Sequence, residues 1–216
     1  EGSISLEDIE DAGFDAVVVA VGAQGTKWLG LPGEEAEAVF HAKDLVYHYN
    51  SLPPYSEQEF AVGDHVAVIG FGNVALDIVH WLVCERKVES ATLIARRGPA
   101  ERASTAKELK LVSGAIDTDQ VRAEIDAISA NLTELGQDIT EVTEDLLKFV
   151  DVDLETETDT ALRMRFLRSP ARIEVDGDGN VTALACEITR MTPPKKEGGR
   201  PGVERTGEFE DIPCDT

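Results

Sequence analysis

Two glycines flank a phenylalanine at Gly70-Phe71-Gly72, directly after the apolar run HVAVI and directly before NVALDIVHWLVC. Bare backbone at such a junction lets a ligand approach amide N–H groups closely. An anion gains most from this, because the first N–H groups of a helix lack intrahelical partners and the helix dipole adds positive character there. Gly70 suits the tight turn out of a strand, Gly72 removes the Cβ that would block a pyrophosphate, and Ala75 keeps a helix close to its strand. The amides near Asn73 and Val74 would then face the phosphates.

A second pair of candidates follows the apolar run SATLIA: Arg96 and Arg97, ahead of Gly98-Pro99. In a strand–glycine turn–helix–strand unit, an acidic residue at the end of the second strand holds the ribose 2′-hydroxyl of NAD. Guanidinium groups there match the 2′-phosphate of NADP instead. The competing reading is that both arginines pair with surface carboxylates, which are abundant. Their position in the unit favours the phosphate.

Composition narrows the rest. Against 20 Lys and Arg stand 42 Asp and Glu, a formal charge of −22, and no basic block appears. Such a surface repels a duplex or an anionic membrane, so no nucleic acid partner is expected. Hydrophobic residues make up 42% of the 216, enough for a packed interior. Cys84, Cys186 and Cys214 form no C-x-x-C pair, and His41, His48, His65 and His80 show no ligand spacing. Neither a dithiol centre nor a zinc site is indicated; buried or idle thiols in a reducing compartment are expected. No apolar run reaches the roughly 18 residues of a membrane span. The expectation is a soluble chain, cytoplasmic or in the mitochondrial matrix of a eukaryote. The opening at Glu1 without Met and the turn-like ending EFEDIPCDT read as a fragment of a longer protein.

The elements that must position these residues follow from periodicity. FDAVVVAVG at 14–22 reads as a buried strand, and Pro32-Gly33 marks a turn in a connector. Leu45, Val46 and Tyr49 have helical spacing, ended by Pro53-Pro54. Strands are expected over 65–69 and about 91–95, with helices over 73–84 and about 104–112. From Val121 to Phe149 apolar residues recur in steps of four and three, interrupted at Gly136. This predicts two amphipathic helices covering a sheet edge, with a helical dimer contact as the alternative. The period then drops to two through LRMRFLRSPARIEVDGDGNVTALACEITRM, which predicts one long hairpin turning at Asp178-Gly179-Asn180. PPKKEGGRPG reads as a mobile loop. Trp28 suits either a local hydrophobic anchor or a contact with a neighbouring domain.

Taken together, GFGNVALDIV, IARRGP and TAKELKLV resemble the flavoprotein ferredoxin–NADP reductases of the adrenodoxin-reductase type. FDAVVVAVGAQ, LVYHYNSLP, RFLRSPARI and TGEFEDIPC add to the likeness, which is weakest between Ser113 and Thr160. The resemblance implies a Rossmann-like α/β domain with a parallel sheet, an added antiparallel hairpin and a helical insertion. It implies one NADP-binding domain over 1–216, with lead-in strand and helix over 1–62 and the nucleotide unit with its hairpin over 63–216. FAD would belong to the parent protein alone. Hydride would pass from nicotinamide to flavin, and electrons onward to an iron–sulfur carrier such as ferredoxin. Gly70, Gly72, Asn73 and Val74 match the family's pyrophosphate turn, and Arg96 and Arg97 its 2′-phosphate pair. Glu108 matches the carboxylate that contacts the nicotinamide carboxamide. The FAD-binding glycine unit is not in this sequence, so the isolated chain is expected to be inactive. An electron-entry reductase of the glutamate-synthase small-subunit type and a non-redox nucleotide-binding interaction module are the alternatives.

Overall fold

Three short strands, β1 (His65–Ile69), β2 (Ser90–Ile94) and β3 (Ala161–Arg165), form a parallel sheet in that order, with Val66, Ala91 and Leu162 in one register row. The structure, a computed structural model, describes residues 4–19, 25–151, 158–196 and 198–216. β2 is central and buried at every position, as the run SATLI requires. Two short helices, α1 (Leu6–Asp11) and α2 (Ala42–Tyr49), precede the sheet, and α3 (Asn73–Trp81) crosses from β1 to β2. Leu76, Ile78, Val79 and Trp81 bury the core side of α3. Its continuation over Leu82–Arg86 widens into a π-helical turn and ends at Lys87, whose φ is 52°.

The connection from β2 to β3 holds α4 (Ala106–Val112), α5 (Thr118–Glu134) and α6 (Ile139–Leu147). Gly136 sits between the last two at φ 76°, the helix-ending conformation that glycine favours. The expected covering of a sheet edge is achieved by backbone and side chains together: Ile116 bridges Leu162, and the Asp117 N–H donates to the Leu162 carbonyl at 2.8 Å. The Gln120 amide donates to the Met164 carbonyl at 2.9 Å and accepts from the Met164 N–H at 2.9 Å. It thereby substitutes for a fourth strand on β3. The seam residues Val121, Ile125, Ile128, Leu132 and Leu146 are buried inside the chain, so they offer no free face to a second copy.

A second sheet is antiparallel: β4 (Arg168–Val175), β5 (Val181–Thr192) and β6 (Gly202–Pro213). The single long hairpin expected from sequence is therefore corrected. Its first arm, LRMR, is β3 of the parallel sheet, and Leu167 at φ 54° separates it from β4. A half-buried edge strand alternates like a hairpin arm, so period two could not tell the two apart. The turn at 176–180 stands as expected, with Asp176 accepting from the Asp178 and Asn180 amides at 2.9 Å each.

Two further expectations change. The stretch EFEDIP of the ending is not a turn but the second half of β6, whose polar character reflects an exposed edge. Beyond it, Asp215 donates to the His65 carbonyl at 2.9 Å and Thr216 accepts from Ala67 at 2.8 Å, along the outer edge of β1. The strand expected over 14–22 does not form in residues 14–19, and residues 20–22 lie outside the described ones. Val18 is 88% and Val19 77% exposed. Strand propensity alone cannot order a segment that no sheet edge pairs with. Trp28 is 52% exposed and meets His41 edge-on at 3.9 Å.

An ion cluster ties the sheets to α5. Arg165 reaches Glu124 at 2.9 Å and also Glu210, while Arg168 bonds the other Glu210 oxygen at 2.6 Å. Glu124 also accepts from the Phe166 N–H at 2.9 Å. Among the described residues, no helix is long and apolar enough to cross a membrane.

Candidate dinucleotide site

At the carboxyl ends of β1 and β2 a cavity of about 540 Å³ opens, lined by Gly70, Gly72, Arg96, Arg97 and their neighbours. Ligands of open α/β sheets bind in this crevice. Each wall is fixed by the element beneath it. Gly70 extends the ladder by donating to the Ile94 carbonyl at 2.9 Å, then turns the chain at φ 125°, a conformation that a side chain would strain. Gly72 caps α3 with no side-chain hydrogen bond, so the first amides of the helix stay available. A Cβ on Gly72 would meet only Ala103, at 4.0 Å. Bareness at Gly72 therefore serves space for a ligand rather than internal packing.

The arginine pair is held by its backbone. The Arg96 carbonyl accepts from the Thr189 hydroxyl at 2.9 Å, and the Arg97 carbonyl from the Leu167 N–H at 3.4 Å. Gly98 donates to the Met191 sulfur at 3.3 Å. Neither Arg96 nor Arg97 has a carboxylate at ion-pair distance among the described residues, and the Arg97 Nε is buried without a hydrogen-bond partner. Among the described residues, therefore, no surface carboxylate forms an ion pair with either arginine, while the half-buried Glu101 carboxyl interacts electrostatically with Arg97.

Asn73 opens α3, and its Oδ1 accepts from the Thr105 N–H at 2.9 Å, joining the start of α3 to that of α4. Val74 is exposed on the first turn of α3. Glu108 lies on the first turn of α4, where the Thr105 hydroxyl donates to it. The structure thus brings Gly70, Gly72, Arg96 and Arg97 into one cavity lining, and sets Asn73, Val74 and Glu108 just outside it on two neighbouring helix starts.

Sequence reasoning missed Glu101, Arg102, Arg200 and Arg205, which line the same cavity. Burial raises the Glu101 carboxyl, while the Gln137 amide at 2.7 Å and nearby Arg97 pull it back in part. Arg102 pairs with Asp145. Arg102 shares the loop of the recognised pair, a signal that was legible; Arg200 and Arg205 come from a distant hairpin and were not. A second cavity, about 320 Å³ and mostly apolar, lies between Trp28, Phe40, Val68 and Leu184 and contains none of the expected site residues. Burial pushes Cys186 up to about 12 and Cys214 up to about 11, so both are protonated thiols at neutral pH.

A Gly-x-Gly turn between parallel strands, a helix start left open and an arginine-walled crevice define a Rossmann-type dinucleotide-binding domain. No family model matches the chain. It is 30% identical over 242 residues to the mitochondrial NADPH:adrenodoxin oxidoreductase of Salvelinus fontinalis, covering 98% of this chain and 48% of that protein. It is 28% identical over 223 residues to the NADPH-ferredoxin reductase FprA of Mycobacterium leprae, covering 93% and 48%. The structure of Mycobacterium tuberculosis FprA in complex with NADPH superposes with a TM-score of 0.72 at 25% identity, covering 98% of this chain and 50% of that one. The chain is thus similar in sequence and in fold to proteins named NADPH:adrenodoxin oxidoreductase and NADPH-ferredoxin reductase, and it spans about half the length of the curated relatives it matches.

Proposed function

We propose that the chain, over 1–216, is the NADP(H)-binding domain of an FAD-dependent ferredoxin–NADP oxidoreductase. One observation carries this: the glycine turn and an arginine pair with no ion-pair partner among the described residues line one crevice at the carboxyl end of a parallel sheet. The relatives named as NADPH-dependent reductases support it. In this reading the amides from Asn73 onward hold the pyrophosphate, with Gly70 and Gly72 giving it room. Arg96 and Arg97 grip the 2′-phosphate, which an NAD-type site would repel with a carboxylate.

In this reading Glu108, which accepts from the Thr105 hydroxyl on the helix beside the glycine turn, accepts from the nicotinamide carboxamide N–H₂ and orients the ring. This chain's residues bind and orient the nucleotide; the flavin that accepts hydride, and the contact with an iron–sulfur carrier, belong to the remainder of the parent protein. A charge of −22 argues against an acidic carrier docking on this half. Calorimetric titration of the chain with NADP⁺ and NAD⁺ tests the reading. NADP⁺ binds at least tenfold tighter, and Arg96→Ala removes that preference; equal weak affinity for both overturns it.

A further inference from the structure

The arginines of the cavity come from two places in the chain. Arg96, Arg97 and Arg102 follow β2, Arg205 lies on β6, and Arg200 in the loop before it. Together they are five of the chain's 20 basic residues, with Glu101 the single acidic residue in the same lining. Arg102 is paired with Asp145 and Arg205 with Glu187, yet the cavity lining itself keeps a net positive charge that an anion would offset.

The hairpin pair is placed by the fold. Arg205 lies opposite Thr189 in the β5–β6 register, and Thr189 is the residue whose hydroxyl holds the Arg96 carbonyl. The strand pairing therefore sets Arg205 beside the stretch that carries Arg96. Glu187, only 9% exposed, engages Nη1 of Arg205 at 3.2 Å, while its other oxygen accepts from the Gly207 N–H at 3.2 Å. This leaves the remaining guanidinium donors of Arg205, which is 73% exposed, free to meet a ligand. Arg200, in the loop before β6, has no carboxylate at ion-pair distance among the described residues.

We propose that Arg200 and Arg205 form the second wall of the phosphate cradle and grip the ribose 2′-phosphate from the side opposite Arg96 and Arg97. They are specificity-determining residues contributed by β6 and the loop before it. A phosphomonoester dianion offers three acceptor oxygens, more than one guanidinium fork can satisfy, and a two-sided cradle suits that geometry. The inference rests on the nucleotide reading above.

The test uses the 216-residue chain and two probes, 2′,5′-ADP and 5′-AMP, titrated calorimetrically against wild type, Arg96→Ala, Arg200→Gln, Arg205→Gln and the double Gln variant. Circular dichroism melts verify folding, and Arg200→Gln, in a loop, stands apart from any effect on β6 pairing. The double variant is expected to bind 2′,5′-ADP about 30-fold more weakly and 5′-AMP within twofold of wild type, with Arg205→Lys intermediate. A double variant that keeps wild-type affinity for 2′,5′-ADP, while Arg96→Ala loses it, overturns this inference and leaves the nucleotide reading standing. Equal losses for both probes also overturn it. A wild type that shows no preference for 2′,5′-ADP sinks both.

Discussion

Two groups of arginines in this chain have opposite fates. Arg165 and Arg168 are clamped by Glu124 and Glu210 between β3, β4, α5 and β6. Arg96 and Arg97 stand at the end of β2 with no carboxylate at ion-pair distance among the described residues. The chain has acidic residues to spare, so the difference lies in placement rather than supply. Guanidiniums neutralised by buried carboxylates hold elements together. In the proposed reading, guanidiniums without an ion-pair partner beside a glycine turn are held ready for an external anion.

The largest way to sharpen this contrast is to break the clamp. Arg165→Met leaves Glu124 buried, with 2% of its side chain exposed, and without its closest cation. Unfolding by denaturant at pH 8 should show a loss of about 3 kcal/mol, with nucleotide affinity of the folded fraction unchanged. Burial already raises Glu124, against the pull of the Phe166 amide and of Arg165. Removing Arg165 raises it further, so the stability lost as pH climbs from the ordinary carboxylate range through the folded value grows. The deficit should be smaller at pH 5 than at pH 8. A deficit independent of pH would show that the clamp acts through packing alone.

The two glycines of the turn separate folding from binding in one loop. Gly70→Ala places a side chain at φ 125° and should cost about 1–2 kcal/mol of stability. Gly72→Ala meets only an ordinary contact with Ala103, so its stability should stay within about 0.5 kcal/mol of wild type. Its NADP⁺ affinity should nevertheless fall about tenfold, as the new methyl enters the crevice. Loss of stability at Gly72 instead would show the residue to be structural.

The smallest effect concerns Glu101, the acid among the arginines. Burial raises its folded value, so its unfavourable contribution appears as pH rises from the unfolded carboxylate range through that value. Glu101→Gln should leave stability unchanged at pH 4 and raise it by under about 1 kcal/mol at pH 8, with NADP⁺ bound roughly threefold tighter. Weaker binding in this variant would show that the carboxylate braces Arg97 rather than opposing the phosphate.

Much of the site was legible because each local piece carried its own signal. HVAVI, the glycine pair and the apolar run after them are contiguous, and Arg96-Arg97 directly follow the next strand. The break at Gly136 and the seam around it gave α5 and α6 for the same reason. What was not legible depended on partners distant in sequence. Whether LRMR joins a hairpin or a parallel sheet depends on what lies beside it, and β2 is some 70 residues upstream. FDAVVV has the composition of a buried strand, yet over residues 14–19 it finds no strand to pair with. Arg200 and Arg205 reach the cavity only because β5 and β6 carry them there.

The central claim, that arginines without an ion-pair partner hold a ribose phosphate, is tested most directly by ³¹P NMR of NADP⁺ bound to excess chain during a pH titration. A free phosphomonoester takes up its second proton near pH 6. Guanidinium groups favour the dianion, so the 2′-phosphorus signal of the bound nucleotide should keep its dianionic position at least one pH unit lower. A 2′-phosphorus signal that titrates as in free NADP⁺, or that does not respond to the protein at all, would contradict the account.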